Sequence, residues 1–138
     1  MKTINLYTDG GARGNPGPAA TGVVIMDSRS KVLASKSKYL GRATNNQAEY
    51  QALIQGLEEI IKLARKSKVA VKAHLDSELI VKQMNGEYRV KDAGLKPLFT
   101  KANKLADAFG SVQFIHVARD KNKKADSLVN QELDKDRG

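Results

Sequence analysis

Four acidic side chains stand where a carboxylate could do chemistry, and each belongs to a different predicted element. Asp9 and Asp76 each end a predicted strand, whereas Glu49 and Asp126 lie in the first turns of predicted helices. Strand ends and helix starts of this kind can meet at one edge of a sheet. Four carboxylates gathered there would form an oxygen-only ligand set, which the hard cation Mg²⁺ prefers. Two such ions could activate a water molecule and stabilise the leaving oxygen of a phosphodiester.

The two helical acids fall on the faces of their helices that point toward the core. Glu49 lies three residues before Ala52 and four before Leu53, and both of these belong to an apolar stripe. Asp126 lies three residues before Val129. Burying a carboxylate is unfavourable unless it is paired or binds a metal. An inward acid therefore favours a ligand-binding role more strongly than an exposed acid does.

Each acid also has a purely structural interpretation, which the residues alone leave open. Asp9 suits a turn, and Asp76 can cap the helix that follows it. Glu49 and Asp126 are acids in a first helical turn, where the helix dipole favours negative charge. Two glycines follow Asp9 and let the backbone approach a ligand closely, which favours a binding site at that position.

Hydrophobic periodicity and turn residues predict the elements that must position these acids. Three strands form an antiparallel meander, and later strands are linked by helices, so they should run parallel with right-handed crossovers. The expected class is α/β, with a five-stranded mixed sheet flanked by helices. The predicted strands are Thr3–Asp9, Thr21–Met26, Lys31–Leu40, Val69–Asp76 and Val112–Val117. The predicted helices are one that begins at Asn45, followed by Ser77–Met84, Leu95–Phe109 and Asn122–Leu133.

The composition favours a polyanionic partner and excludes several kinds of site. The net charge is +9, which suits phosphate binding with release of counterions, although a basic surface can also serve solubility alone. Aromatic residues make up 5% of the chain and tryptophan is absent, so base stacking is not expected to dominate binding. The absence of cysteine excludes disulfides, thiolate zinc sites and cysteine nucleophiles.

The 138 residues are expected to form one domain, 1–138, around one core. No apolar run approaches the roughly 20 residues that a membrane-spanning helix needs. The segment Met1–Asp9 becomes polar too early for a signal peptide. We therefore expect a cytoplasmic monomer without a membrane partner.

Four segments resemble the signatures of type 1 ribonuclease H, occur in the order of that family and cover essentially the whole chain. They are Tyr7–Pro18, Thr44–Tyr50, Leu75–Leu79 and His116–Asn130. The resemblance implies the ribonuclease H-like fold. It also implies an endonuclease that hydrolyses the RNA strand of RNA–DNA hybrids with two metal ions and leaves 5′-phosphomonoesters. Mg²⁺ is the expected cofactor, and Mn²⁺ is compatible with the same ligands.

The resemblance also implies roles for individual residues. The residues that hold the two metals and carry catalysis would be Asp9, Glu49, Asp76 and Asp126. The 2′-hydroxyls of the RNA strand, by which a protein can tell RNA from DNA, would be contacted by Asn45, Asn46 and backbone groups of Gly10 and Gly11. A phosphate of the DNA strand would be held by Asn15 and Thr44. Thr44 also forms a predicted capping box with Gln47, and both roles are compatible.

Three features depart from the pattern of many relatives. The segment Arg119–Lys124 lacks the histidine that relatives carry before the last aspartate, and we expect Arg119 to take over part of its role. The connection Asn85–Lys96 is short and has no tryptophan-bearing basic protrusion. Glu78 stands where relatives often have glutamine, so its carboxylate would accept from a 2′-hydroxyl but could not donate.

Two other functions compete with hydrolysis of hybrids. One is a non-catalytic module that binds hybrid or double-stranded RNA on the same fold. Four acids would repel phosphate in such a module, which argues against it. The other is a different nuclease or an integrase of the same broad fold, against which the segments Asp9–Gly11 and Thr44–Glu49 argue. The glycine-rich run lacks the Gly-Lys-Ser/Thr ending of a P-loop, so a nucleoside triphosphate cradle is not expected.

Overall fold

The computed structural model describes residues 1–65 and 67–137. Within these residues the chain forms five strands, four α-helices and one short 3₁₀ turn. The strands are β1 Lys2–Ala12, β2 Gly17–Met26, β3 Val32–Ala43, β4 Val69–Leu75 and β5 Ser111–His116. The helices are α1 Asn45–Ala64, α2 Glu78–Met84, α3 Lys96–Ala106 and α4 Lys123–Asp134, with the 3₁₀ turn at Arg119–Lys121.

The five strands form one mixed sheet in the order β3-β2-β1-β4-β5. The pairs β1–β2 and β2–β3 are antiparallel, whereas β1–β4 and β4–β5 are parallel. This topology confirms the predicted meander followed by parallel, helix-linked strands. β1 is central, and its parallel pairing with β4 ends where Thr8 pairs with Leu75. That register brings the acids that follow these two residues, Asp9 and Asp76, to the same edge of the sheet.

The hydrophobic core lies between one face of the sheet and the helix α1. Leu6 and Val71 from the sheet and Leu53 and Leu57 from the helix are almost fully inaccessible to solvent, as the helical spacing of the apolar residues predicts. Residues of α2 and α3 extend the same core. The last helix, α4, contacts β1, β2 and β3.

The helix α4 packs on the opposite face of the sheet from α1. Side chains alternate between the two faces along a strand, and Val23 of β2 belongs to the core with α1. Its neighbour Gly22 therefore points to the other face, where it meets the backbone of Ala125. The two acid-bearing helices thus approach the same end of β1 from opposite sides.

The first strand is longer than its sequence predicts. Gly10, Gly11 and Ala12 continue the ladder and pair with β2, whereas the glycine-rich composition predicts a turn directly after Asp9. A Cβ at Gly10 would lie 2.2 Å from the carbonyl group of Ala48, so glycine here serves the close approach of α1 rather than a turn. The reversal itself takes place between Arg13 and Pro16.

Among the residues described, no helix combines the length and the hydropathy that crossing a membrane requires.

Candidate active site

Three carboxylates meet at the end of the central strands. One oxygen atom from each of Asp9, Glu49 and Asp76 lies within 4.8 Å of the other two. Asp9 comes from β1, and Asp76 directly follows β4. Glu49 is the fifth residue of α1, just beyond the first turn in which its sequence position had placed it. Three elements that are distant in sequence thus place their acids at one point, as a cluster of oxygen ligands requires.

Glu49 faces the interior, as its position on the apolar stripe of α1 predicts. The side chain is 7% exposed, and its Oε1 accepts a hydrogen bond of 3.1 Å from the backbone N–H of Gly10. Its Oε2 is buried and has no hydrogen-bond partner among residues 1–65 and 67–137. Burial raises the pKa of Glu49 well above its ordinary value, and the nearby charges of Asp9 and Asp76 raise it further.

Asp9 lies in the same environment, and its pKa is also shifted. Burial raises its pKa from 3.8 to about 7, with further upward contributions from the charges of Asp76 and Asp126. A hydrogen bond with Glu49 acts in the opposite direction, because it stabilises the ionised form of Asp9. Burial also raises the pKa of Asp76. Without a cation, ionising all of these carboxyl groups at the same time is therefore unfavourable.

The fourth acid, Asp126, lies beside this cluster in the first turn of α4. Its side chain is 30% exposed, and its Oδ1 is 3.6 Å from Nη2 of Arg119. The charge of this carboxyl raises the pKa of Asp9. Arg119 is 82% exposed, so the ion pair contributes little to stability. The guanidinium nevertheless stands at the mouth of the site.

The donor set fits a hard divalent cation. All the candidate ligands are carboxylate oxygens, which Mg²⁺ and Mn²⁺ favour. The unpartnered Oε2 of Glu49, within the part of the chain described, is a buried acceptor that a metal ion would satisfy. Burial and neighbouring acids raise the pKa of Asp9 and of Glu49, and a divalent charge would stabilise the ionised forms of both.

A cleft of about 470 Å³ opens above the acids. Its lining residues include the four acids, Gly10, Gly11, Arg13, Asn45, Asn46 and Arg119. Asn45 is fixed in this wall by two hydrogen bonds. Its Oδ1 accepts from the backbone N–H of Ala12 at 2.8 Å, and its own backbone N–H donates to Oδ1 of Asn15 at 3.0 Å.

Three of the predicted substrate residues are not among the described residues that line this cleft: Asn15, Thr44 and Glu78. Asn15 supports Asn45 from behind. Thr44 and Gln47 form the predicted capping box. The backbone N–H of Thr44 donates to Oε1 of Gln47 at 2.9 Å, and the backbone N–H of Gln47 donates to Oγ1 of Thr44 at 3.1 Å. Glu78 pairs with Lys82 at 2.9 Å along α2.

The sequence interpretation gave no role to three residues at or near the cleft. Arg13 and Asn130 line it, and Arg13 bonds to Asp134 at 2.6 Å. Asn122 lies behind the acids with 2% of its surface exposed. Both asparagines stand four residues from Asp126, a helical spacing that could have indicated them.

Comparison with known proteins places this geometry in a family. Residues 7–132 match the family model described as "Reverse transcriptase-like". A "Bifunctional protein" of Mycobacterium tuberculosis is 42% identical over 97% of this chain. A "Ribonuclease HI" of Halobacterium salinarum is 38% identical over 95% of it. The structure of LC11-RNase H1 in complex with an RNA/DNA hybrid superposes with a TM-score of 0.89 at 47% identity, covering 93% of this chain and 94% of that one.

The curated relatives are longer than this chain. The matched region spans 36% of the mycobacterial protein and 64% of the halobacterial one. The resemblance nevertheless extends over nearly all of the present chain, in sequence and in fold. The chain belongs to the type 1 ribonuclease H family.

Proposed function

We propose that the protein is an endonuclease that hydrolyses the RNA strand of RNA–DNA hybrids and leaves 5′-phosphomonoesters. The observation that carries this proposal is the cluster of Asp9, Glu49 and Asp76 at the floor of an open cleft. The relationship to proteins named ribonuclease HI supports it, as does the hybrid-bound relative. A module that merely binds hybrid would gain nothing from buried acids that repel phosphate.

Four acids would hold two divalent ions during the reaction: Asp9, Glu49, Asp76 and Asp126. Mg²⁺ is the ion we expect, and Mn²⁺ suits the same oxygens. When bound, such ions supply an activated water and stabilise the leaving oxygen of the phosphodiester. The chain itself contributes the geometry. The N–H of Gly10 fixes one oxygen of Glu49, and the other oxygen is buried without a hydrogen-bond partner in the described part of the chain.

The walls of the cleft would read the RNA strand. Asn45 and Asn46, with the backbone of Gly10 and Gly11, offer donors and acceptors to 2′-hydroxyls. Arg119 stands where it can meet a phosphate next to the bond that is cut. Outside the cleft lining, we propose that Asn15 and Thr44 hold a phosphate of the DNA strand and that Glu78 accepts from a 2′-hydroxyl.

A cleavage assay with labelled duplexes tests the proposal. The substrates would be an RNA–DNA hybrid and the matched double-stranded RNA, double-stranded DNA and single-stranded RNA, each with Mg²⁺, with Mn²⁺ and with excess chelator. We expect cleavage of the RNA strand in the hybrid with either ion and none in chelator. Cleavage that persists in chelator would contradict the metal mechanism. An intact hybrid with both ions would contradict the function.

Other properties stay predictions. We propose that residues 1–138 act as one ribonuclease H domain, that the protein is a cytoplasmic monomer, and that double-stranded RNA is a second ligand. The double-stranded RNA arm of the assay and sedimentation of the purified protein address the ligand and the oligomeric state.

A further inference from the structure

Asn122 is a buried amide in an otherwise exposed and basic segment. It lies between the 3₁₀ turn Arg119–Lys121 and the helix α4. Its own surface is 2% exposed, whereas Lys121, Lys123 and Lys124 on either side are exposed. A polar side chain is rarely buried to this extent unless its hydrogen bonds serve the structure or the site.

Asn122 occupies the N-cap position of α4 but its side chain does not cap the helix. Asparagine is a favoured N-cap because its side-chain oxygen usually accepts from a backbone N–H in the first turn. Here no such side-chain bond is present at the start of α4. The usual structural reason for asparagine at this position is therefore missing, and the amide points elsewhere.

The amide instead reaches the backbone and side chains that carry three of the acids. Its Nδ2 donates a 2.8 Å hydrogen bond to the carbonyl oxygen of Thr8, the residue before Asp9. The same amide lies beside the carboxyl of Asp76 and lowers the pKa of that group. Its backbone carbonyl accepts from the N–H of Asp126 at 3.1 Å. One residue thus touches β1, the end of β4 and α4.

The orientation of the amide is fixed by the nature of these partners. A carbonyl oxygen and a carboxylate both accept, so both contacts require the NH₂ end of Asn122. Its Oδ1 is buried and has no partner within residues 1–65 and 67–137. Leaving a buried acceptor unpaired is unfavourable. This side chain therefore gives up one possible hydrogen bond while holding Thr8 and Asp76 together.

We propose that Asn122 is a positioning residue that sets the spacing of the Asp9, Asp76 and Asp126 carboxylates for divalent metal binding. The inference rests on the proposed metal-dependent function, since it assigns Asn122 to the same site. Asn122 itself would touch neither the metal nor the substrate. Its effect would pass through Thr8 to Asp9, directly to Asp76, and through the first turn of α4 to Asp126.

Two substitutions at this position, together with a control in the core, distinguish a change in the spacing of the carboxylates from a general loss of stability. Asn122→Ala removes the donor and leaves the carbonyl of Thr8 and the carboxyl of Asp76 unsupported. Asn122→Ser keeps a small polar group at the helix start and serves as the milder variant. Ile60→Val is the control, because Ile60 is 1% exposed in the core and lines a separate surface pocket with Lys2 and Val69, at the opposite ends of β1 and β4. It should destabilise the fold modestly without touching the acids.

Mn²⁺ binding to the free protein, followed by electron paramagnetic resonance, is the primary measurement. Mg²⁺-dependent cleavage of the hybrid is the second. We expect Asn122→Ala to raise the Kd for Mn²⁺ by about 10–100-fold, the usual effect of losing a group that orients metal ligands. It should also lower kcat at fixed Mg²⁺ while the KM for hybrid changes little. Ile60→Val should retain wild-type Mn²⁺ affinity.

The inference is overturned if Asn122→Ala folds and binds Mn²⁺ with wild-type affinity. If Asn122→Ala does not fold, Asn122→Ser is judged by the same criterion. An equal loss of Mn²⁺ affinity in Ile60→Val would also overturn it, because destabilisation alone would then explain the effect. Failure of the proposed function looks different: the wild-type protein would leave the hybrid intact with Mg²⁺ and Mn²⁺, whatever the Mn²⁺ titration of the variants shows.

Discussion

Asp9 and Glu49 are held close together and away from water, although each would be better solvated alone. Burial raises the pKa of both, and charges of neighbouring acids raise them further: Asp76 and Asp126 at Asp9, and Asp9 and Asp76 at Glu49. In the absence of a divalent ion these side chains therefore oppose folding whenever both are ionised. Acids placed for metal binding should destabilise the metal-free fold in this way, whereas an acid that caps a helix or a turn should stabilise it.

The first prediction is that Asp9→Asn leaves the metal-free protein as stable as the wild type, or makes it more stable, yet nearly inactive. Asparagine keeps the shape of the side chain and removes its charge, so the repulsion from Asp76 and Asp126 disappears. Activity should fall by more than about 100-fold, since groups that merely orient a metal ligand already contribute roughly 10–100-fold. Thermal unfolding in chelator and hybrid cleavage in Mg²⁺ are the two measurements. Ready unfolding of Asp9→Asn would show that Asp9 is a structural residue instead.

The second prediction concerns pH in metal-free buffer. The folded-state pKa of Asp9 is raised to about 7 from 3.8. The folded protein therefore binds this proton more tightly than the unfolded chain does. Its contribution to stability is fully present below pH of about 4 and is lost as the pH rises through about 7.

The difference in Tm between Asp9→Asn and the wild type should consequently grow from about pH 4 to pH 8. Glu132, whose pKa is held at about 2 by bonds from Arg137 and Lys135, contributes equally to both proteins and cancels in this difference. Asp107→Asn, which removes an exposed acid at the end of α3, is the matched control for the loss of one negative charge outside the cluster. A constant Tm difference across the window would contradict the raised pKa.

At the scale of the elements, the sequence predicted those features of the site that follow from the spacing of residues within one helix or strand. The inward direction of Glu49 follows from its spacing to the apolar stripe of α1, and the capping box at Thr44 follows from two residue types three apart. The end of β4 at Leu75, directly before Asp76, follows from the alternation of Val69, Val71, Ala73 and Leu75. Each of these is a local property of the chain, so the sequence carries it directly.

What could not be predicted depends on contacts between distant segments. Gly10 and Gly11 have the composition of a turn, but the approach of α1 to β1 places them in a strand. The burial of Asn122 arises where β1, β4 and α4 meet, and its sequence neighbours are charged and exposed.

The third prediction tests how α4 is placed on the sheet. Gly22 pairs with Asp9 across β1 and β2, and a Cβ at Gly22 would lie 2.1 Å from the carbonyl oxygen of Ala125. Gly22→Ala should push α4 and Asp126 away from the cluster. We expect a loss of roughly 1–3 kcal/mol in stability, as is usual for overpacking, together with weaker Mn²⁺ binding.

Gly56→Ala is the control for this experiment. Its added Cβ would meet the side chain of Leu6 at 2.7 Å in the core, on the face of the sheet away from α4. Gly56→Ala should affect stability and leave Mn²⁺ affinity as in the wild type. If Gly22→Ala also binds Mn²⁺ normally, contact between α4 and β2 does not set the position of Asp126.

At the scale of the whole molecule, the charge of the site opposes the charge of the protein. The net charge is +9, yet four acids occupy the cleft. In the proposed function a hybrid would bring phosphates to these acids, so its attraction would have to come from basic residues around them. Lys121, Lys123 and Lys124 are exposed beside Asn122, which contacts the strand that carries Asp9. Lys2, Lys62 and Lys68 are exposed near the start of β1 and β4, at the opposite end of these strands.

The last prediction is that these two groups of lysines differ in their effect on hybrid binding, although each carries the same charge. Binding would be measured with Asp9→Asn protein, so that the RNA is not cut, over a range of salt concentrations. Each phosphate contact contributes about −0.9 to the slope of log K against log salt for a duplex of the B-DNA type. Replacing Lys121, Lys123 and Lys124 together by glutamine should weaken binding and make the slope shallower by about one contact or more. The same replacement at Lys2, Lys62 and Lys68 should leave the slope unchanged, because those residues are too far from the cleft to meet a phosphate and their charges are screened beyond about 10 Å at 0.1 M salt. Equal effects from the two groups would mean that net charge alone attracts the hybrid and that the lysines near α4 make no contact of their own.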